Sequence, residues 1–282
     1  MNKNIALAVC FLIFPGLATA DEGMWTIDNF PSDRVEQKYD VRIDNDWLRS
    51  AQLATTRLEN GCTGSFASPD GLVLTNNHCV WGCIRNLSSA DRNLSDEGFM
   101  ATARDEELRC PGQAISILVD LEDVTNNISA ATSGLDDAKA NDARKAALTG
   151  LETECENDAD GELKCEAVTL YNGGQYFIYK YKRYDDVRLV FAPEVDIAAF
   201  GGDPDNFNFP RWCLDMSFLR AYEDGKPAST PNYLRWRQGG PKPAEPVFIS
   251  GHPGSTDRLL TMTQLKMQRD VVLPLWLLRY SE

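Results

Sequence analysis

The chain has 282 residues, with 28 basic and 42 acidic side chains and a formal net charge of −14 at pH 7. This acidic balance argues against nucleic-acid binding, because phosphate contacts require clustered Lys and Arg side chains. The length allows one large core or two modest ones, and hence one or two domains.

The first twenty residues have the parts of a secretory signal peptide. A short polar segment around Lys3 precedes an apolar run from Ile5 to Leu17, and Ala18-Thr19-Ala20 supplies the small residues of a cleavage site. This run is too short to span a bilayer, and no later stretch reaches the roughly 20 residues that a transmembrane helix needs. We therefore expect residues 1–20 to be removed and the chain to be exported to the periplasm or the medium, with no membrane span.

Cysteines follow the leader at positions 62, 79, 83, 110, 155, 165 and 213. Export favours disulfides over free thiols, and an odd number leaves at least one unpaired. Cys155 and Cys165 flank a polar turn, so a local bridge between them is expected. Zinc is the competing interpretation, because Cys79 and Cys83 lie close to His78; without a second Cys/His pair at ligand spacing we expect no metal.

The predicted elements begin with a helix. Apolar positions over Trp47–Glu59 have helical spacing, and Asn60-Gly61 is a stop signal. Residues 62–68 and 72–75 are short β-rich runs separated by Pro69-Asp70-Gly71, which predicts a tight hairpin.

The middle of the chain predicts one helix and a second β region. Leu135–Glu154 is Ala-rich with a helical pattern and is expected to pack on the surface of a barrel. Tyr176–Tyr181 and Val187–Phe191 flank Tyr184-Asp185-Asp186 and predict another hairpin. Two further predicted strands are Met216–Tyr222 and Val247–Ser250.

The last stretch, from Asp257 to Glu282, turns helical and carries apolar side chains without an evident partner. We therefore expect the chain to be an N-terminal fragment of a longer protein. The many short strands favour a mostly β fold with inserted helices, a barrel or sandwich rather than an α/β sheet.

Only two histidines are present, which shortens the search for a general base. His78 directly follows the predicted strand 72–75, and Leu74–Cys79 resembles the segment that carries the catalytic His in chymotrypsin-like peptidases. In those enzymes the Cys beside the His bridges back to the preceding strand, so the resemblance implies a Cys62–Cys79 disulfide. An ordinary turn histidine is the competing interpretation of His78.

A histidine base needs a carboxylate that fixes its tautomer. Asp215 opens the predicted strand 216–222, as expected of that carboxylate, and Asp203 and Asp205 are close rivals. His252 lies in a Gly/Pro loop with no acidic neighbour, and we expect it to be a surface turn residue.

Several ordered segments together resemble the bacterial dipeptidyl-peptidases 7 and 11, which are chymotrypsin-like serine exopeptidases with an inserted helical domain. The segments are Asp21–Trp25, Gly61–Phe66, Gly71–Cys79, Glu106–Leu108, Asp186–Val190, Phe200–Asn206 and Gly251–Thr256. The resemblance implies the first barrel of a double β-barrel over residues 21–266, followed by the start of a helical domain over residues 267–282.

The resemblance also assigns site residues. His78 falls on the family's general base, Asp215 on its orienting carboxylate, and Asn206 on the asparagine that grips the substrate N-terminus. An exopeptidase must satisfy that buried ammonium group, because an unpaired charge is costly. Phe207 stands where relatives usually have Trp; a backbone contact survives this change, but an indole N–H does not. A turn residue is the competing interpretation of Asn206.

Two further departures leave substrate choice open. Residues 212–214 read Trp-Cys-Leu where relatives usually have His-Thr-Gly, and Asn77 stands where relatives often have a second His.

The chain contains no Gly-x-Ser-Gly nucleophile loop. Ser65 and Ser255 are flanked by glycine, but both lie in segments that the family uses structurally. We therefore expect the serine and the oxyanion amides beyond this chain, which should be inactive alone.

The function predicted is thus that of a serine dipeptidyl-peptidase without a cofactor. It would act on peptides with a free N-terminus, and homodimerisation of the full-length protein is left open. The alternative is a secreted, non-catalytic binding protein derived from the peptidase fold.

Overall fold

The computed structural model describes residues 23–202, 209–253 and 260–281. The chain divides into two compact units after Ile43. Within its described part, the first unit contains a 3-10 turn, Ile27–Asn29, and helix α1, Ser32–Tyr39. The second unit contains the sheet described next.

The second unit is built on one sheet whose described strands all pair antiparallel. The strands are β1 Thr55–Leu58, β2 Thr63–Phe66, β3 Leu72–Thr75, β4 Phe99–Met100, β5 Leu108–Arg109, β6 Ile115–Asp123, β7 Leu163–Leu170, β8 Gln175–Tyr184, β9 Asp186–Ala192, β10 Ser217–Glu223 and β11 Lys226–Pro227. The main path runs β4-β9-β10-β3-β2-β1-β6-β8-β7, with β5 on β9 and β11 on β10.

The predicted mostly β class with helices is confirmed, but the described sheet is not closed into a barrel. Strands β4 and β7 lie at opposite ends of the strand path and do not pair with each other. The physical reason is that β8 extends into a long ribbon with β6 and β7, while β9 pairs with β10, β4 and β5.

The helices of the second unit lie before, between and after these strands. They are α2 Asn45–Ala54, α3 Trp81–Leu87, α4 Leu94–Glu97, α5 Thr125–Thr132, α6 Asp137–Asp158, α7 Val195–Ala198, α8 Met262–Met267 and α9 Leu273–Ser281, with a π-helical segment Gln268–Val272 joining the last two. Among the described residues, we find no helix with the length and apolar character needed to traverse a bilayer.

The helix predicted over Trp47–Glu59 includes residues that form a strand instead. Helix α2 ends at Ala54, and Thr55 and Thr56 instead open β1, where they pair with Ser65 and Gly64 of β2. Both threonines are buried. Their branched side chains favour the pleated conformation, so tertiary pairing overrides the helical spacing.

The hairpin predicted around Asp185 is also wrong. β8 ends at Tyr184 and β9 begins at Asp186, so one residue separates them. Tight hairpins need at least a two-residue loop. The chain therefore turns a corner here, and the two strands pair with different partners.

The strand predicted over Val247–Ser250 does not form. This segment is irregular and attaches to the sheet through side chains. The hydroxyl oxygens of Ser250 and Thr55 lie 2.7 Å apart, and the backbone N–H of His252 donates to Thr63 Oγ1 at 2.8 Å.

Two hydrophobic cores support the sheet. The larger one packs α3 against the central strands through residues such as Phe66, Val73, Ile84 and Leu219. The second lies between α5, α6 and the β7–β8 ribbon. Helix α6, predicted over Leu135–Glu154, thus packs on the ribbon.

Three disulfides cross-link the second unit: Cys62–Cys79, Cys83–Cys110 and Cys155–Cys165. Cys213 is a free, exposed thiol. Both pairs named from the sequence are therefore bridged in the structure, and the odd cysteine is the unpaired one.

Candidate active site

The site is built where β3 ends and β10 begins. Because the two strands are antiparallel, with Thr75 opposite Ser217, the residues after β3 meet those before β10. His78 opens a 3-10 turn directly after β3, and Asp215 precedes β10. Residues distant in sequence are thus held side by side by strand pairing.

His78 and Asp215 form a two-point contact. The imidazole Nδ1 lies 2.7 Å from Asp215 Oδ2, and the backbone N–H of His78 donates to Oδ1 at 3.0 Å. An ionised carboxylate only accepts hydrogen bonds, so Nδ1 carries the proton and Nε2 remains the basic nitrogen. This is the tautomer that a histidine general base requires.

The two side chains differ in exposure. The His78 side chain retains 53% of its accessible surface and the Asp215 side chain 27%. The imidazole is therefore open to an incoming group, while the carboxylate is the less accessible of the two.

Asn76 holds the carboxylate from the β3 side. Its side-chain amide donates to Asp215 Oδ2 at 3.2 Å and to the Asp215 carbonyl at 3.1 Å. Sequence reasoning missed this role; the signal available was an amide side chain two residues before the predicted base.

Asn77 links the end of β3 to the start of β10. It is 1% exposed; its amide N–H donates to Ser217 Oγ at 3.1 Å, and its carbonyl oxygen accepts from the Trp81 indole at 2.8 Å. A buried amide with both ends bonded fixes the backbone that carries His78.

A disulfide and a hydrogen bond also hold the backbone beside His78. The Cys62–Cys79 bridge ties the residue after His78 to the residue before β2, with Cα atoms 6.1 Å apart. Asn60 donates to the Cys79 carbonyl at 2.8 Å.

The zinc interpretation requires cysteine thiolates, but the cysteines near His78 are in disulfides. Cys62, His78 and Cys79 have ligand atoms within 4.8 Å of one another, but the two sulfurs are bonded to each other. Cys83 is bridged to Cys110. A disulfide sulfur is not the thiolate that zinc binds, so only the imidazole remains.

A buried ion pair joins Arg220 of β10 to Glu107. Arg220 Nε donates to Glu107 at 2.9 Å, with side-chain exposures of 7% and 3%, and the Tyr222 hydroxyl donates to the same carboxylate at 2.8 Å. Arg220 also donates to the Asp70 carbonyl at 2.7 Å. These bonds join β10 to the β2–β3 turn and to the segment before β5, which sequence reasoning did not assign.

His252 is not a surface turn residue as predicted. Its ring is largely buried beside Tyr181, with ring centroids 6.2 Å apart, and its Nδ1 has no hydrogen-bond partner within the described part of the chain. Burial, together with the nearby positive charge of Arg57, lowers the pKa of His252 to about 4. It is therefore neutral at ordinary pH.

Asn206 and Phe207 lie outside the described residues, as do Asp203, Asp205 and Ser255. The substrate-binding roles of Asn206 and Phe207 therefore stay predictions. The catalytic roles of His78 and Asp215 also stay predictions, although the structure brings their side chains together.

Comparison with known proteins decides the family. The Peptidase S46 family profile matches residues 20–282. This chain belongs to the Peptidase S46 family.

Two curated S46 relatives illustrate the similarity. The Asp/Glu-specific dipeptidyl-peptidase of Shewanella putrefaciens is 33% identical over 99% of this chain and 40% of its own length. Dipeptidyl-peptidase 7 of Porphyromonas gingivalis is 31% identical over 92% of this chain and 39% of its own length. The resemblance stated from the sequence is thus confirmed, and this S46 chain spans about 40% of those relatives.

Solved structures agree at the level of the fold. The crystal structure of Porphyromonas endodontalis DPP11 in complex with the dipeptide Arg-Glu superposes with a TM-score of 0.62 and 25% identity, covering 76% of this chain and 34% of that one. DPP11 without that dipeptide gives a TM-score of 0.61 at 27% identity, covering 77% of this chain and 33% of its own. The antiparallel sheet of this S46 chain is therefore similar to that of DPP11.

Proposed function

We propose that this chain supplies the general base and its orienting carboxylate to a serine dipeptidyl-peptidase that releases dipeptides from the N-terminus of oligopeptides. The observation that carries the proposal is the 2.7 Å contact between His78 Nδ1 and Asp215 Oδ2, in a chain that belongs to the S46 family. The names of the relatives supply the dipeptidyl-peptidase class.

In the proposed reaction, His78 Nε2 takes the proton of a serine hydroxyl while the serine oxygen attacks the scissile carbonyl. The imidazolium then gives that proton to the leaving amine, and Asp215 stabilises the positive charge in between without taking the proton itself. Water then attacks the ester that joins the dipeptide to the serine, while His78 takes a proton from the water and returns it to the serine oxygen, so the dipeptide leaves with a free carboxyl group. The serine is expected outside these residues, which span about 40% of the relatives.

Three finer features belong to the same proposal. A chymotrypsin-like arrangement is supported by a base that follows one strand and a carboxylate that precedes its antiparallel neighbour, within a sheet that is open in the described residues. The grip of Asn206 on the substrate ammonium is supported by the resemblance. Export to the periplasm or the medium is supported by the leader over residues 1–20.

The test uses protein made from the complete reading frame and fluorogenic dipeptidyl substrates. His78→Ala and Asp215→Asn should each lower kcat/KM by about 10⁴-fold, because they remove the base or its correct tautomer. Asp142→Asn, at an exposed position of α6, is the matched control and should change nothing. Undiminished hydrolysis by the His78 variant would refute the proposal.

A further inference from the structure

One edge of the sheet is bordered by a helix instead of a strand. β7 ends the strand path and, within the described ranges, pairs with β8 alone. In an antiparallel edge strand, every second residue points its N–H and C=O groups away from the neighbouring strand. Such a row of backbone groups is a template on which another strand can add.

Two carboxylates of α6 bind the outer edge of β7. The backbone N–H of Ala167 donates to Glu152 Oε1 at 2.7 Å, and that of Cys165 donates to Glu156 Oε1 at 3.2 Å. Ala167 and Cys165 are alternate residues of β7, as the outward-pointing donors of an edge must be. Both glutamates are half-buried. Their oxygens therefore take the place that the carbonyl groups of an added strand would have.

Helix geometry makes this replacement possible. Four residues of an α-helix rise by about 6 Å, and two residues of a strand advance by about 6.7 Å. Glu152 and Glu156 are four residues apart on α6, whereas the N–H groups that they accept are two residues apart on β7. The later glutamate meets the earlier strand residue, so α6 runs antiparallel to β7. One side of the helix thus reproduces the hydrogen-bonding repeat of a neighbouring strand.

A covalent bond and apolar packing keep α6 at this edge. The Cys155–Cys165 disulfide joins the helix to β7, with Cα atoms 6.2 Å apart. Leu148 and Leu151 of α6 pack on the second hydrophobic core, which includes Ile178 of β8. The two carboxylates are therefore delivered to the edge by a helix that is fixed on both β7 and β8.

The sequence of β7 indicates which strand would fit the edge if α6 were absent from it. Lys164 and Glu166 flank Cys165. In an antiparallel pair of two β7 strands centred on Cys165, Lys164 of each copy lies opposite Glu166 of the other, and such opposite charges stabilise a strand pair. Moving the centre by one residue in either direction places two lysines or two glutamates opposite each other, which destabilises it. A second copy of this chain therefore matches the edge in one register.

We propose that α6 is a cover that blocks strand addition at the β7 edge, and that loss of its acceptors Glu152 and Glu156 lets β7 pair with β7 of a second copy of this chain. The cover acts by occupying the backbone donors of Cys165 and Ala167. This role is independent of the proposed peptidase activity, which belongs to the other side of the strand path, at β3 and β10.

The experiment uses full-length protein that carries Glu152→Ala together with Glu156→Ala. Alanine maintains the helix propensity of α6 but offers the strand no acceptor. Amide hydrogen exchange at Cys165 and Ala167 should quicken by about tenfold or more, the usual worth of a hydrogen bond to a charged group. Sedimentation velocity should reveal a species of roughly twice the wild-type mass, and its share should rise several-fold with protein concentration.

Two control variants separate the acceptor oxygens from other effects of the substitutions. Glu154→Ala, at an exposed position of the same helix, should leave both the exchange and the mass as in the wild type. Glu152→Gln combined with Glu156→Gln removes both charges but retains a side-chain oxygen at each position, so this variant should keep the edge covered.

A further variant identifies the strand that adds. Lys164→Glu in the double-alanine protein places like charges opposite each other in the pair centred on Cys165. The mass should return to the wild-type value, while exchange at Cys165 and Ala167 stays fast. A larger species that persists in this variant would contradict pairing through β7.

The remaining outcomes also decide between the two parts of the proposal. Unchanged exchange at Cys165 and Ala167 in the double-alanine protein would overturn the cover, and fast exchange with the wild-type mass would overturn the pairing with a second copy. If circular dichroism shows that the double-alanine protein does not fold, Glu152→Ala alone provides the same test through the Ala167 amide.

Discussion

His252 lies with its ring largely buried beside Tyr181, whereas His78 is half exposed and faces a carboxylate. The difference follows from charge as well as burial. Arg57, which pairs with Glu166 at 2.7 Å, places a positive charge near His252. Burial is the larger cause of the lowered His252 pKa, which is about 4, and this positive charge is the next largest. A neutral imidazole is therefore part of the folded structure.

Protonation of His252 should make the fold sensitive to acid. The unfolded chain binds this proton near pH 6.5 and the folded chain only near pH 4, so between these values the unfolded state holds more protons. Stability should fall as pH drops from about 6.5 to about 4, by about 1 to 2 kcal/mol between pH 6.5 and pH 5. Urea unfolding of the wild type and His252→Gln at both pH values measures this contribution.

Ser129→Ala, at an exposed position of α5, is the control, because neither side chain titrates and the pH dependence of stability should stay as in the wild type. If His252→Gln has the same slope as the wild type, the buried imidazole does not titrate as described.

For single residues, the sequence could predict which side chains belong to the candidate site, but it could not predict the surroundings of every one of them. His78 and Asp215 stand at strand ends, which the local pattern indicates, and a resemblance pairs them. The burial of His252 depends on Tyr181 and Arg57, which lie far away in sequence, so its loop composition gave the wrong expectation.

Pairing between strands that are distant in sequence brings the elements of the site together. Short β-rich runs such as 62–68 and 72–75 were visible in sequence, and their hairpin forms. The sequence did not reveal which strands pair with β9 or where α2 ends, because both depend on pairing between residues far apart in the chain. The Asn77–Ser217 bond and the Glu107–Arg220 pair likewise join residues more than 100 positions apart.

Two of the disulfides should stabilise different elements. Cys155–Cys165 ties the last turn of α6 to β7, and Cys62–Cys79 ties the site turn to the residue before β2. Replacing either pair by serines should lower the free energy of unfolding by about 2 to 4 kcal/mol. Amide hydrogen exchange should rise near α6 and β7 in the first variant, and near residues 75–80 in the second.

Each double variant is the control for the other. Faster exchange around residues 75–80 after loss of the Cys155–Cys165 bridge would show that the two regions are not independent.

At the scale of the whole molecule, exposed large apolar side chains are concentrated in the helices after residue 260. The helices after residue 260 expose large side chains that include Leu275, 61% exposed, and Leu277, 71% exposed. Contiguous exposed apolar surface of this kind favours association. The described sheet is open as well, in a chain that spans about 40% of its curated relatives.

The 282-residue chain should therefore bind a hydrophobic dye and self-associate. Leu277→Glu combined with Leu278→Glu should reduce dye fluorescence several-fold and shift the chain toward monomer, because charges in α9 disfavour contact between apolar surfaces. Sedimentation at two protein concentrations measures the association. Ser281→Glu, a polar position of the same helix, is the control, and equal effects of both variants would contradict the explanation.

The contact between His78 and Asp215 spans 137 positions of the chain. A ribosome must therefore synthesise most of these residues before the imidazole meets its carboxylate, and β10 must then dock beside β3. Partly translated chains that end before Asp215 consequently lack the carboxylate that orients the His78 imidazole.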